Sequence, residues 1–274
     1  MSKAYFHRKL MRAAGCGACA AILALAAGDA FAQSSAQASA QSSWFASTPQ
    51  SNGQSPSDPR FDEVALRLEA SLSDEMLANF NLIIYVDKAE TGPLAQRMYV
   101  FRKTDDGDLA LLYDWSVSTG RERFERDVHG HVQSSFTPKG YFEIDPKRLY
   151  ADHAAAQCDE AMPYAMFFNW KPNGHQTGLA IHGTAEDGES ALGTRASAGC
   201  VRLSLDNAHT LFDLVRSQLR GPTPKLAYLD GDSDVSSEGL FLHDSAGRLQ
   251  LADGYPVLVL VDDYGGENRV TSLY

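Results

Sequence analysis

The stretch Gly178–Ser204, GLAIHGTAEDGESALGTRASAGCVRLS, holds one histidine and one cysteine, 18 residues apart. His182 closes an apolar run, Leu179-Ala180-Ile181, and is followed at once by Gly183. Such a run reads as a short buried strand, and a strand end holds a side chain rigidly at the rim of a sheet. Cys200 follows the small residues Ser197, Ala198 and Gly199, and Val201-Arg202-Leu203 resumes a strand pattern. A loop of small residues leaves backbone N–H groups able to converge near a sulfur atom. A thiolate, an imidazole that accepts and returns its proton, and amides that hold an oxyanion are what thiol acyl transfer requires. The bland reading is a core histidine beside a buried cysteine. A disulfide between Cys158 and Cys200 is a third reading, for an oxidising compartment.

Outward from this stretch the chain reads as mostly β. Before it, 81–89 (NLIIYVDKA), 96–104 (QRMYVFRKT) and 109–120 (LALLYDWSVSTG) are β-branched or aromatic runs parted by Gly, Pro and Asp, the pattern of a meander. The runs 137–145 (TPKGYFEID) and 161–170 (AMPYAMFFNW) supply further strands. After Cys200, Ser204 or Asp206 can cap a helix with Leu211, Leu214, Val215 and Leu219 on one face. YPVLVLVDDY, 255–264, predicts a buried strand near the end. Residues 59–79 predict an N-terminal helix, with Asp58 as cap, Pro59 at its first position and Phe61, Val64, Ala65, Leu68 and Leu72 at helical spacing.

Composition narrows the function. The chain has 274 residues, 44% hydrophobic and 22% charged, enough to bury a core. Its net charge of −11 argues against nucleic acid as a partner. Residues 1–32 read as a cleavable signal peptide: a basic start, a short apolar run and Ala30-Phe31-Ala32 before the cut. The expected location is therefore the periplasm, with no stable membrane span after cleavage. Cleavage leaves 20 basic and 34 acidic residues, a net of −14. Residues 33–58, rich in Ser, Ala and Gln, read as a flexible tether. The remainder divides into a catalytic domain, 80–216, and a C-terminal extension, 217–274.

The wording around the His–Cys pair resembles the YkuD-type L,D-transpeptidase domain, whose signature is His-Gly followed by Ser/Thr-His-Gly-Cys-Ile/Val-Arg. The matching positions are His182, Gly183, Ser197, Gly199, Cys200, Val201 and Arg202. Residues 117–144, with Ser118-Thr119-Gly120 and Thr137-Pro138, are similar to the family's STG…TP.G.F.I segment, and Met162–Phe168 to its MPYWM.F strand. The resemblance implies a mostly β fold with a few helices, a β-sandwich or barrel carrying the cysteine on a loop at a cleft. It implies Cys200 as nucleophile, His182 as base, and the carbonyl of Gly183 steadying the ring. It also implies oxyanion donors among Ser197, Ala198, Gly199 and Cys200, and peptidoglycan stem peptides as substrate. An outer-membrane protein is the other acyl acceptor to expect. Arg202 either binds a substrate carboxylate or locks the loop. Tyr164 is a substrate-binding candidate, and it and Trp170 either line the cleft or belong to the core. The departure is Ala198, where the family usually has His. It leaves open an L,D-carboxypeptidase or amidase, and a non-catalytic wall-binding module is the reading from another class. No cofactor or metal is expected. His129 and His131 lack a third ligand nearby, and Asp230–Asp234 lacks the glutamate of a calcium loop. The segments 120–135 and 146–159 either cap the groove or are plain surface loops.

Overall fold

The last long strand lies in the middle of the sheet, not at its edge. In the computed structural model, residues 59–126, 130–155, 160–230 and 234–265 are described. Eight strands form the main sheet: β1 (Leu82–Asp87), β2 (Arg97–Lys103), β3 (Leu109–Ser116), β4 (Gly140–Tyr150), β5 (Ala165–Phe168), β6 (Ala180–Gly183), β7 (Val201–Leu203) and β8 (Val257–Asp262). Their order is β7-β6-β5-β4-β8-β1-β2-β3. β8 runs parallel to β1, Leu82 opposite Val257, and antiparallel to β4, Leu258 opposite Glu143. β1 to β3 form the expected meander.

The boundary drawn at residue 216 therefore does not separate two units. Val257–Asp262 fills the gap between β1 and β4, and a sheet lacking it would leave both with unpaired edges. Two short ribbons, Gly221–Pro224 with Leu251–Gly254 and Leu226–Tyr228 with Ser237–Phe241, carry the chain to that strand.

Alternation along β1 explains why its residues are buried on both faces. Leu82, Ile84 and Val86 join the core that includes Val257, Val259 and Val261, while Ile83 and Tyr85 pack on the other side with Leu258 and Leu260. Beyond the one-turn helix α3 (Glu186–Glu189), helix α4 (Leu205–Ser217) covers the first core with Ala208, Leu211, Phe212 and Val215, the three larger side chains contributing about 1.5–3 kcal/mol each. Ser204 is its cap, its hydroxyl accepting from the Asn207 N–H. Leu219, placed on the apolar face by its spacing, is 90% exposed, because the chain turns extended at Gln218 and the helix has already ended.

The N-terminal segment forms two helices where the periodicity predicted one: α1 (Pro59–Ser71) and α2 (Asp74–Asn79). Ser73 makes the break. Its backbone is extended and its hydroxyl accepts from the Met76 N–H, starting a new helix. Val64, Leu68, Leu72, Met76 and Phe80 still pack on a single core, with Phe80 stacked on Phe241. The expected cap Asp58 and the signal and tether lie outside the described residues.

The two sheet edges meet. After β3 the chain passes Val117 and reaches Ser118, whose N–H donates to the Arg202 carbonyl at 3.0 Å, while the Arg202 N–H donates to the Ser118 carbonyl at 2.9 Å. These bonds bring the β3 end of the sheet against β7, so the nearly closed sheet has its seam beside Cys200.

Candidate active site

The register of β6 and β7 places His182 and Cys200. The strands are parallel, with His182 opposite Arg202 and Ile181 opposite Val201. Cys200 lies two residues before Arg202, so alternation sends Cys200, Arg202, Ala180 and His182 to one face of the sheet. Ile181, Val201 and Leu203 go to the other, against α4. In agreement, Cys200 packs against a small cluster of Met162, Ala165, Phe167 and Ala180.

His182 is 2% exposed, and its Nδ1 lies 2.8 Å from the Gly183 carbonyl oxygen. A carbonyl only accepts, so Nδ1 carries the proton and the neutral ring presents Nε2 as a base. Burial is the main cause that lowers its pKa to about 4. The Gly183 bond and Glu160 oppose that shift, while Arg202 and His153 add to it. Gly183 leaves little room for a side chain: a Cβ there would lie 3.1 Å from that of Ala208 on α4 and 3.3 Å from the Pro163 ring.

The Cys200 loop is braced on three sides. Ser197 Oγ accepts from the Gly199 N–H at 3.0 Å and donates to the Cys200 carbonyl at 2.6 Å. The Ser197 N–H donates to the Thr119 carbonyl at 2.8 Å, and the Arg121 N–H to the Ser197 carbonyl at 3.1 Å. Thr137 Oγ1 donates to the Gly199 carbonyl at 2.8 Å. Gly199 has φ +121°, and a Cβ would meet the Phe136 carbonyl oxygen at 2.9 Å and Leu179 at 3.0 Å. Cys200 is half-buried, and its Sγ lies 3.6 Å from the Gly178 carbonyl oxygen.

The other site candidates divide. Arg202 sits on the Cys200 face and forms an ion pair with Glu160. Glu160 belongs to a small ribbon, Ala154–Ala155 with Glu160–Ala161, whose first strand lies in the segment 146–159 and whose second follows it directly. Ala198 is half-buried between Ser197 and Gly199. Tyr164 is carried away from the cysteine: its ring stacks on His209 of α4 at 4.5 Å, and its backbone has φ +56°. Trp170 is core, edge-on to Phe142 at 6.0 Å. The segment 120–135 also forms a ribbon, Phe124–Arg126 with Val132–Ser134, whose Phe124 is 72% exposed. Arg121 at its base ties it to the cysteine loop by a bond to the Ala196 carbonyl. Cys158 and His129 lie outside the described residues, as do residues 231–233 of the aspartate-rich turn. Ser118, Thr119 and Thr137 had no site role in the sequence reading. Their signal was there, in the STG and TP wording, but not the partners that give it meaning.

A thiol and an imidazole with a fixed tautomer thus share one face of the sheet, beside a cross-braced loop and the seam. Over residues 82–257 the chain matches the profile of the YkuD L,D-transpeptidase catalytic domain. The protein belongs to that family. Among solved structures it is similar to an L,D-transpeptidase from Mycobacterium smegmatis, with 16% identity, a TM-score of 0.36, and coverage of 67% of this chain and 59% of that one. It is likewise similar to the L,D-transpeptidase (Yku) from Stackebrandtia nassauensis, with 16% identity, TM-score 0.35, and coverage of 76% and 70%. The helical cell shape determining protein Pgp2 from Campylobacter jejuni aligns at 15% identity and TM-score 0.36, covering 68% of this chain and 48% of that one. The chain thus spans 59% of the length of the Mycobacterium smegmatis protein. No curated protein sequence matches it.

Proposed function

We propose that this protein is a peptidoglycan L,D-transpeptidase using Cys200 as its nucleophile. Cys200 Sγ attacks the carbonyl of the L-centre in a tetrapeptide stem while His182 Nε2 takes the thiol proton. The C–N bond to the terminal D-alanine breaks, His182 returns the proton to the leaving amine, and a thioester remains on Cys200. An amine of a second stem then attacks the thioester, giving its proton to His182, and the thiol is restored. An outer-membrane protein amine is the alternative acceptor.

The observation that carries this reading is the Nδ1 bond of His182 to the Gly183 carbonyl on the face shared with Cys200. It fixes the tautomer that leaves Nε2 as acceptor. Because burial holds the ring neutral, proton transfer accompanies attack rather than preceding it. The Gly199 amide is engaged by Ser197 Oγ, so it serves an oxyanion only by exchanging that bond; the Ala198 and Cys200 amides complete the donor set. Arg202, held by Glu160, locks the ribbon to the nucleophile strand. Family membership supports the stem-peptide substrate. The signal-like start supports a periplasmic location, which fractionation of cells producing the full chain checks.

Purified mature protein incubated with tetrapeptide muropeptides, with products resolved by mass, tests the reading. Cross-linked dimers that have lost one D-alanine are expected, and C200A should give none. Tripeptides alone would assign an L,D-carboxypeptidase with water as acceptor. Wild type indistinguishable from C200A would leave a non-catalytic wall-binding module. Ala198 faces the same choice of acceptor, and A198H is expected to shift the dimer-to-tripeptide ratio; an unchanged ratio would remove it from acceptor selection.

A further inference from the structure

Behind the cysteine loop lies a largely buried ion pair that the acyl-transfer chemistry does not use. Lys88, at the end of β1, is 4% exposed. Its Nζ donates to Glu122 Oε2 at 2.8 Å and to the Thr137 carbonyl at 2.7 Å. Glu122 Oε1 accepts from the Thr137 N–H at 3.0 Å. Glu122 is held at φ +54°, a left-handed conformation uncommon for a side chain of its kind. Both backbone polar groups of Thr137 are thus fixed by one salt-bridged pair. The Lys88 carbonyl also accepts from Arg195 Nε at 2.8 Å, in the segment leading to the nucleophile.

What this pair holds in place is a hydroxyl. Thr137 is fully buried, and its Oγ1 accepts from the Gly120 N–H at 2.8 Å and donates to the Gly199 carbonyl at 2.8 Å. Neither glycine has room for a side chain: a Cβ on Gly120 would lie 2.1 Å from the Ser135 carbonyl oxygen, and one on Gly199 2.9 Å from that of Phe136. The Gly199 carbonyl and the Cys200 N–H belong to one planar peptide unit, and in a trans peptide they point in opposite directions. Fixing the carbonyl on Thr137 fixes the direction of the nucleophile's own N–H.

We propose that Thr137, clamped by the Lys88–Glu122 pair, is a positioning residue that sets the Gly199–Cys200 peptide plane for stabilising the oxyanion. The inference rests on the acyl-transfer reading of Cys200 and deepens it. The Thr137 hydroxyl bonds to backbone groups, those of Gly120 and Gly199. It acts through the orientation of an amide, so its loss should slow reactions that develop an oxyanion and spare those that do not.

Two probes of Cys200 separate these effects in the full mature chain. Acylation by 4-nitrophenyl acetate passes through a tetrahedral oxyanion; alkylation by iodoacetamide, followed at Cys200 by peptide mass, does not. T137V is expected to slow acylation about tenfold to a hundredfold, with alkylation within about twofold of wild type and the pH profile unmoved. T137S should restore acylation, since it returns the hydroxyl. Equal loss in both reactions would mean general disturbance of the loop or thiol, and no loss would mean the bond is passive; either overturns the proposal. Should T137V not fold by circular dichroism, K88M/E122Q loosens the same clamp from behind and must give the same split, smaller in size. Wild type that reacts with the ester but not with muropeptides would sink the substrate assignment alone. Wild type inert to the ester would sink both.

Discussion

Glu143 should make this protein less stable as pH rises. Its carboxyl lies on β4, is 8% exposed, and faces the C-terminal ribbon, where the Leu226 N–H and the Tyr228 hydroxyl are its partners. The Glu143 N–H also donates to Tyr228 Oη at 3.0 Å. Burial dominates and raises its pKa from 4.5 to about 7, the two hydrogen bonds offsetting part of the rise. The folded state therefore holds a proton that the unfolded chain gives up near 4.5. Between about pH 4.5 and 7 the folded state binds the extra proton, so stability falls across that window and is level above it. The full drop corresponds to about 3 kcal/mol. E143Q imitates the protonated acid and removes this dependence. At pH 8 it should exceed wild type by up to about 3 kcal/mol, or about 6–12 °C in Tm for a chain of this size, and at pH 4.5 the two should coincide. Asp87 is also raised to about 7 by burial, but it stays in both proteins and drops out of the difference. Calorimetry of the two proteins at pH 4.5 and 8 measures the effect. A Tm difference that does not change between those pH values would refute the assignment.

Three further outcomes follow from the site. The His182 imidazole should titrate near pH 4 by NMR and remain neutral above it; a midpoint at the ordinary 6.5 would show a hydrated ring. G120A should lower stability by about 1–3 kcal/mol because its Cβ would meet backbone at 2.1 Å, whereas G178A, with nothing within 4 Å, should leave denaturation midpoints alone. Y164F should leave KM for a tetrapeptide stem unchanged, since the ring is stacked on His209; a marked rise in KM would return Tyr164 to the substrate.

Local pattern carried the sequence reading a long way. Continuous apolar runs marked β1, β5, β6 and β8, and a histidine at a strand end with a cysteine after small residues marked the site, because those signals are contained in a few neighbouring positions. Whatever depended on distant pairing was not legible. Val257–Asp262 read as buried, but nothing in its letters placed it between β1 and β4. Thr137 and Gly199 stand 62 positions apart, and Lys88 and Glu122 34 apart, so their bonds exist only once the sheet has closed. The letters around Tyr164 leave cleft and core both open; only the folded sheet sends Ala165 and Phe167 toward Cys200 while the Tyr164 ring packs with Met166 and Phe168 on the α4 side. The break at Ser73 is masked in the sequence because one apolar stripe continues across it from α1 to α2.

The placement of β8 also has a meaning for how the molecule is made. The nucleophile, its base and most of the bracing around them are synthesised well before the strand that joins the two halves of the sheet. Until Val257–Asp262 arrives, β1 and β4 each keep an open edge, and the meander meets the His–Cys side only across the Ser118–Arg202 seam. Such long-range closure makes folding slow and cooperative. A chain clipped before Val257–Asp262 would carry the complete His–Cys motif on a sheet parted between β1 and β4, and is expected to lose its activity together with its fold.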